Sequence, residues 1–140
     1  GGSKRAYAYS RFLNCNVVIC YKQREKANII SHMEVIGDVV DKNVVLVDDM
    51  VDTAGTLTKA ADLMIERGAK SVRAICTHPL LSGDAYVRIE NSNLSELIVT
   101  NSIPTEKQSK KIRVLSCAKL FAEVMKNVHN NISINPFFIK

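Results

Sequence analysis

The sequence predicts an α/β domain: a parallel sheet flanked by helices on both faces. Two observations predict it. Short apolar runs rich in β-branched residues recur along the chain, and amphipathic stretches separate them. Runs that stay apolar on both sides of the pleat suit strands covered on both faces. Strand and helix in alternation make such a sheet parallel.

The elements are read in chain order. Gly1-Gly2 leads straight into a helical stretch at residues 3–14, where Ala6, Tyr9, Phe12 and Leu13 fall at helical spacing. A doubly wound domain would carry a strand before that helix, so the chain reads as cut from a longer protein at a glycine-rich turn. Residues 16–20 (NVVIC) form the first candidate strand. Residues 22–43 are polar and charged, and are expected to hold a flexible loop followed by a small strand near residues 33–36. Long irregular segments inside compact domains are often functional. Residues 44–47 (VVLV) form the next strand. The helix at residues 56–67 carries Leu57, Ala60, Ala61, Met64 and Ile65, and Gly68 stops it. Strands follow at 72–76, 97–99 and, more weakly, 112–115, with helices at 83–91 and 116–127. The apolar tail, residues 132–140, is expected to pack on the domain or on a neighbour.

Composition narrows the class. The chain has 140 residues, 46% apolar and 24% charged, which suits one globular domain with one core. No apolar run approaches the roughly 20 residues of a membrane helix, and the start lacks the apolar stretch of a secretory signal. The expectation is a cytoplasmic protein that does not engage membranes. Cys15, Cys20, Cys76 and Cys117 include no Cys-x-x-Cys pair, so a zinc ribbon or redox motif is disfavoured, and they read as structural thiols. A net charge of +5 favours an anionic partner. Aromatic residues are only 6%, with no Trp, which weakens a nucleic-acid reading because single strands need stacking platforms. Small phosphates are preferred.

The chemistry concentrates between Asp48 and Thr56. A buried strand ends at Val47. Asp48 and Asp49 then stand at its carboxyl end, where open α/β sheets bind ligands. Asp52-Thr53-Ala54-Gly55-Thr56 turns into a helix. Gly55 is expected to let the backbone turn and approach an anion without a Cβ clash, and Ala54 leaves room. Unpaired amides and the helix dipole favour a phosphate there. Thr53 and Thr56 offer hydroxyl donors, and Asp52 can cap the turn or accept a hydroxyl proton. Asp48 and Asp49 would repel a phosphate but accept hydrogen bonds from sugar hydroxyls, or engage magnesium. The pattern as a whole suits a sugar phosphate. A polar turn with an acidic cap is the bland alternative, favoured for Asp-x-Thr alone but not for the full pattern.

Asp48–Thr56 resembles the phosphoribosyl pyrophosphate loop of type I phosphoribosyltransferases and of the ribose-phosphate pyrophosphokinase family. Four further segments are similar to that family: Gly1–Ala6 to the turn and helix that open its C-terminal half, Tyr21–Asn28 to its catalytic flexible loop, Cys76–Gly83 to a strand and loop, and Thr100–Pro104 to a turn. The resemblance runs nearly the whole chain. It implies a type I phosphoribosyltransferase-like fold, and a single domain spanning residues 1–140 that forms the C-terminal half of an enzyme transferring pyrophosphate from ATP to ribose 5-phosphate with magnesium. Lys22 and Arg24 would be catalytic, stabilising the transferring phosphates, with Arg24 also meeting substrate. Asp48 and Asp49 would meet the ribose hydroxyls, and Asp52, Thr53, Ala54, Gly55 and Thr56 the 5-phosphate. Gly1 and Gly2 would face the pyrophosphate. The family's magnesium-binding acid precedes that turn, so no metal ligand is assigned in this chain. Most of the ATP site lies in the family's N-terminal half, so the isolated chain is expected to be inactive. By the same resemblance the full enzyme is a homo-oligomer.

Two alternatives share the loop. A stand-alone phosphoribosyltransferase would need a hood segment for its base, for which no candidate is seen. An inert regulatory subunit is opposed by the intact Lys22, Arg24 and loop. From the residues alone, the charge run at 22–26 also reads as a solvated surface. Among the remaining residues, His78 is read as structural or hydrogen-bonded, and Lys107, Lys110 and Lys111 as a solvated basic stretch.

Overall fold

The computed structural model describes the backbone of residues 3–26, 29–105 and 107–138, and the side chains of these residues other than 22–32. In chain order the elements are α1 (Ser3–Leu13), β1 (Ile19–Lys26), β2 (Ile29–Ile36), β3 (Asn43–Val51), α2 (Gly55–Glu66), β4 (Ser71–Pro79), α3 (Ala85–Asn91), β5 (Leu94–Thr100), β6 (Ile112–Leu115) and α4 (Ala118–His129), then a 3₁₀ turn at Asn135–Phe137.

Four strands form a parallel sheet in the order β3-β4-β5-β6. Its register sets Val44 beside Val72, Leu46 beside Ala74 and Leu97 beside Ile112. Val72, Ala74, Leu94, Leu97 and Val99 are buried on one face, under Leu57, Ala61 and Met64 of α2 and Ala85 and Ile89 of α3. The spacing of Leu57, Ala61 and Met64 gives α2 one apolar stripe. Met64 is 2% exposed, and burying a side chain of that size contributes about 2–3 kcal/mol. Gly68, at φ 91, closes the helix; its amide donates to the Ile65 carbonyl at 2.9 Å, a left-handed stop that glycine adopts without strain.

The opposite face is thinly covered. Val45 and Leu115 are about half exposed there, and α1 reaches it through Arg5, which bridges to Asp49. Glu96 of β5 links three strands on this face, pairing with Arg113 at 2.9 Å and Arg73 at 3.6 Å.

Several expectations need correction. The run at residues 16–20 is not a strand of the parallel sheet. The strand starts at Ile19 and continues through Lys26, pairing antiparallel with β2 in a separate two-stranded sheet. The reason lies in its second half: YKQREK is too polar to be covered on both faces. Residues 22–26 and 29–36 are therefore paired strands and not a loop, and the small strand near 33–36 is the end of β2. Val35 of that strand joins the core. α4 forms, but Leu120, Phe121, Met125 and Val128 on it are exposed. Among the described residues of the tail, Ile134 and Phe137 are half-buried, while Phe138 is exposed.

Candidate functional site

The loops that follow β3, β4 and β5 meet at the carboxyl edge of the parallel sheet, the edge where such sheets bind ligands. β3 runs through both Asp48 and Asp49. The pleat alternates side chains, so Asp48 lies on the α2 side and Asp49 on the α1 side. The two acids are therefore adjacent in sequence but do not form a forward-facing pair. The Asp49 amide donates to Asp48 Oδ1 at 3.0 Å. Arg5 Nη2 reaches Asp49 Oδ2 at 3.4 Å. The neighbouring Asp48 carboxyl, then the backbone amide, and then Arg5 hold the Asp49 carboxyl below the usual carboxylate range. Asp49 is thus a fixed acceptor at neutral pH.

Beyond Val51 the chain turns sharply. The left-handed residue is Ala54, at φ 60 and ψ 0, and not Gly55 as the sequence suggested. A Cβ built on Gly55 would lie in ordinary contact with Arg88 Nη1 at 3.6 Å and Thr53 Oγ1 at 3.9 Å, so neither backbone strain nor a clash with the protein requires glycine there. The Ala54 methyl is buried, which anchors the turn. The Thr58 amide donates to the Ala54 carbonyl at 2.9 Å, opening the helical ladder. The amides of the first turn, Gly55 to Leu57, precede that ladder and point outward, as helix starts do.

The segment after β4 buttresses this turn. The amide of Leu81 donates to the Val51 carbonyl at 3.1 Å and that of Ser82 to the Asp52 carbonyl at 3.1 Å. The Ser82 hydroxyl donates to the Asp52 carboxylate. Arg88 Nη1 donates to the Thr53 carbonyl at 2.9 Å. Asp52 thus accepts a hydrogen bond from the Ser82 hydroxyl. Sequence reasoning missed Ser82, Arg88 and Arg5. Ser82 had a signal, a polar residue in the loop after a parallel strand. Arg88 and Arg5 had none, because their contacts span 35 and 44 residues.

The floor is inert. Cys76 is buried, its thiol within 3.4 Å of the Asp49 carbonyl. Burial, with Asp48 and Asp49 adding, pushes its pKa up to about 11. His78 Nδ1 lies 2.9 Å from Ser102 Oγ, whose hydroxyl donates to the Thr77 carbonyl at 2.9 Å, which fits the hydrogen-bonded histidine expected. Lys111 corrects the solvated reading: its Nζ donates to the Ser92 carbonyl at 2.7 Å, capping α3, while Lys107 lies over the Tyr86 ring. Gly1 and Gly2 lie outside the described residues, as do the side chains of Lys22 and Arg24. The backbone of both lies in β1, where Lys22 opposes Met33, Arg24 opposes Ile30, and the register shifts at Arg24.

Asp48 and Asp49 are the acids at this edge that could ligate a magnesium ion. Among the described residues no three His, Cys, Asp or Glu side chains converge, so Asp48 and Asp49 could supply at most one or two oxygens. Magnesium accepts that arrangement, because it keeps waters and phosphate oxygens as its other ligands.

Comparison with known proteins gives the family. Residues 4–139 match the model of the phosphoribosyl synthetase-associated domain. The chain is 51% identical over 99% of its length to a ribose-phosphate pyrophosphokinase of Wolinella succinogenes, covering 45% of it. It is 52% identical over 99% of its length to that of Porphyromonas gingivalis, covering 44% of it. The crystal structure of phosphoribosylpyrophosphate synthetase from Mycobacterium smegmatis superposes with a TM-score of 0.79 at 34% identity, over 91% of this chain and 42% of that one. The chain therefore spans less than half the length of these relatives. An α/β domain with a strained Asp-Thr-Ala-Gly-Thr turn at the carboxyl edge of its parallel sheet, it belongs to the phosphoribosyl synthetase-associated domain family.

Proposed function

We propose that this chain is the C-terminal, ribose 5-phosphate-binding domain of a ribose-phosphate diphosphokinase. The parent transfers pyrophosphate from ATP to the anomeric hydroxyl of ribose 5-phosphate, giving phosphoribosyl pyrophosphate and AMP. One observation carries the reading: the left-handed turn at Ala54 presents the first amides of α2 at the sheet's carboxyl edge, beside Asp48 and Asp49. Amides of that kind bind a phosphate, and ionised carboxylates bind hydroxyls.

In this reading Asp52 to Thr56 hold the 5-phosphate. Asp48 and Asp49 take the ribose hydroxyls, one from each face of β3. Lys22 and Arg24 stabilise the transferring phosphates, and Gly1 and Gly2 face the pyrophosphate. Charge stabilisation dominates transfers of this class. Bound magnesium would neutralise phosphate charge. The parent is a cytoplasmic homo-oligomer, and the chain alone is inactive because most of the ATP site lies elsewhere.

The test is catalytic. The chain joined to the rest of its parent, given ATP, ribose 5-phosphate and magnesium, should release AMP. Lys22→Ala or Arg24→Ala should lower kcat by about 100-fold or more, as loss of one preorganised donor does. Release of ADP, or full activity in both variants, would overturn the reading.

A further inference from the structure

Arg88 has no role in the reading above, yet it touches the turn at its most constrained point. It stands on α3, 35 residues from Thr53 in sequence. Its Nη1 donates to the Thr53 carbonyl at 2.9 Å, and its Nη2 lies 4.0 Å from Asp84 Oδ2. The same Nη1 would sit 3.6 Å from a Cβ on Gly55. The guanidinium therefore holds the peptide immediately before the left-handed residue and borders the glycine that opens α2.

That placement matters because Ala54 occupies a conformation costing an L-residue about 1–2 kcal/mol. Such conformers persist only where their surroundings over-determine them. Ser82 fixes the turn at Asp52 and the Ala54 methyl is buried. The peptide between them is fixed by Arg88. A guanidinium suits this task, because its planar fork can serve a carbonyl and a carboxylate together, whereas an ammonium acts as a point charge. Its positive charge also lies beside the place assigned to the anion.

We infer that Arg88 is a positioning residue for the phosphate turn, holding the Thr53–Ala54 peptide so that the amides of Gly55, Thr56 and Leu57 converge. The inference rests on the ribose 5-phosphate reading of the same turn. Asp84 is the carboxylate facing Arg88, and its Arg88→Lys variant keeps the charge while losing the fork.

The experiment compares the chain with Arg88→Ala and Arg88→Lys by calorimetry with ribose 5-phosphate and by amide NMR without ligand. Arg88→Ala should weaken binding at least tenfold, Arg88→Lys by less, and the unfolding midpoint should move by only a few degrees, as for most surface substitutions. The resonances of residues 53–57 should shift in ligand-free Arg88→Ala. Binding within twofold of wild type in Arg88→Ala would overturn the inference and leave the site reading intact. If wild type binds no ribose 5-phosphate, the site reading fails; unmoved resonances at 53–57 would then overturn the positioning role too, and moved ones would sustain it for another ligand.

Discussion

Ser82 holds Asp52 at two points: its amide donates to the Asp52 carbonyl at 3.1 Å, and its hydroxyl donates to the Asp52 carboxylate. The first bond belongs to the backbone and does not depend on the Ser82 side chain. The second is removable. Ser82→Ala should therefore leave the turn folded, with a stability change under about 1 kcal/mol because both groups are exposed. The freed Asp52 carboxylate would then sample orientations toward the anion. Affinity for ribose 5-phosphate should fall several-fold, read by calorimetry beside a urea titration of each protein.

Ala54 lets three opposing effects be weighed. Glycine there would remove a left-handed cost of about 1–2 kcal/mol. It would also lose a buried methyl worth about 0.8 kcal/mol and add roughly 0.5–1 kcal/mol of unfolded-state freedom. Ala54→Gly should thus be near neutral, within about 1 kcal/mol. Ala54→Val has no such compensation: a β-branched residue is an outlier at positive φ, and the site is packed. It should cost about 2 kcal/mol or more, measured as a fall in denaturation midpoint.

Cys76 gives the fold a pH signature. Its pKa is raised from 9.0 to about 11 in the folded chain, first by burial. A group raised on folding contributes its stability below its unfolded pKa and loses it as pH climbs through the folded value. The window is therefore pH 9 to 11. By pH 10.5 wild type should lose about 2 kcal/mol that Cys76→Ala does not lose. Urea titrations of both proteins at pH 8 and 10.5 check this.

Glu96 sits between Arg73 and Arg113 across three strands. Removing it brings two exposed cations together with no counter-charge. Glu96→Gln should cost up to about 1 kcal/mol at low salt. The loss should shrink in 0.5 M salt, where the Debye length is only a few ångströms.

The sequence made the parallel sheet and α2 legible because both are repeated patterns of burial. Val44 to Val47 are apolar throughout, Val72, Ala74 and Cys76 alternate into the core, and Leu57, Ala61 and Met64 recur at helical spacing. The hairpin was misread because NVVIC looks like a buried strand until the polar residues after it are counted in the same element. In the turn, the glycine drew attention, yet the left-handed residue is its neighbour Ala54; a buried methyl and contacts from α3 hold it there. The contact from Arg88 was invisible because it reaches the turn from 35 residues away, and no local pattern encodes that distance. Lys111 was misjudged for the same reason: its carbonyl partner, Ser92, belongs to the end of α3.

The most direct measurement is calorimetric titration of the folded chain, with magnesium, against ribose 5-phosphate and against ribose, repeated for Asp52→Ala. The account predicts binding of the phosphorylated sugar, little or none of ribose, and a loss of at least tenfold in Asp52→Ala. Equal binding of the two sugars, or no binding of ribose 5-phosphate by wild type, would contradict it.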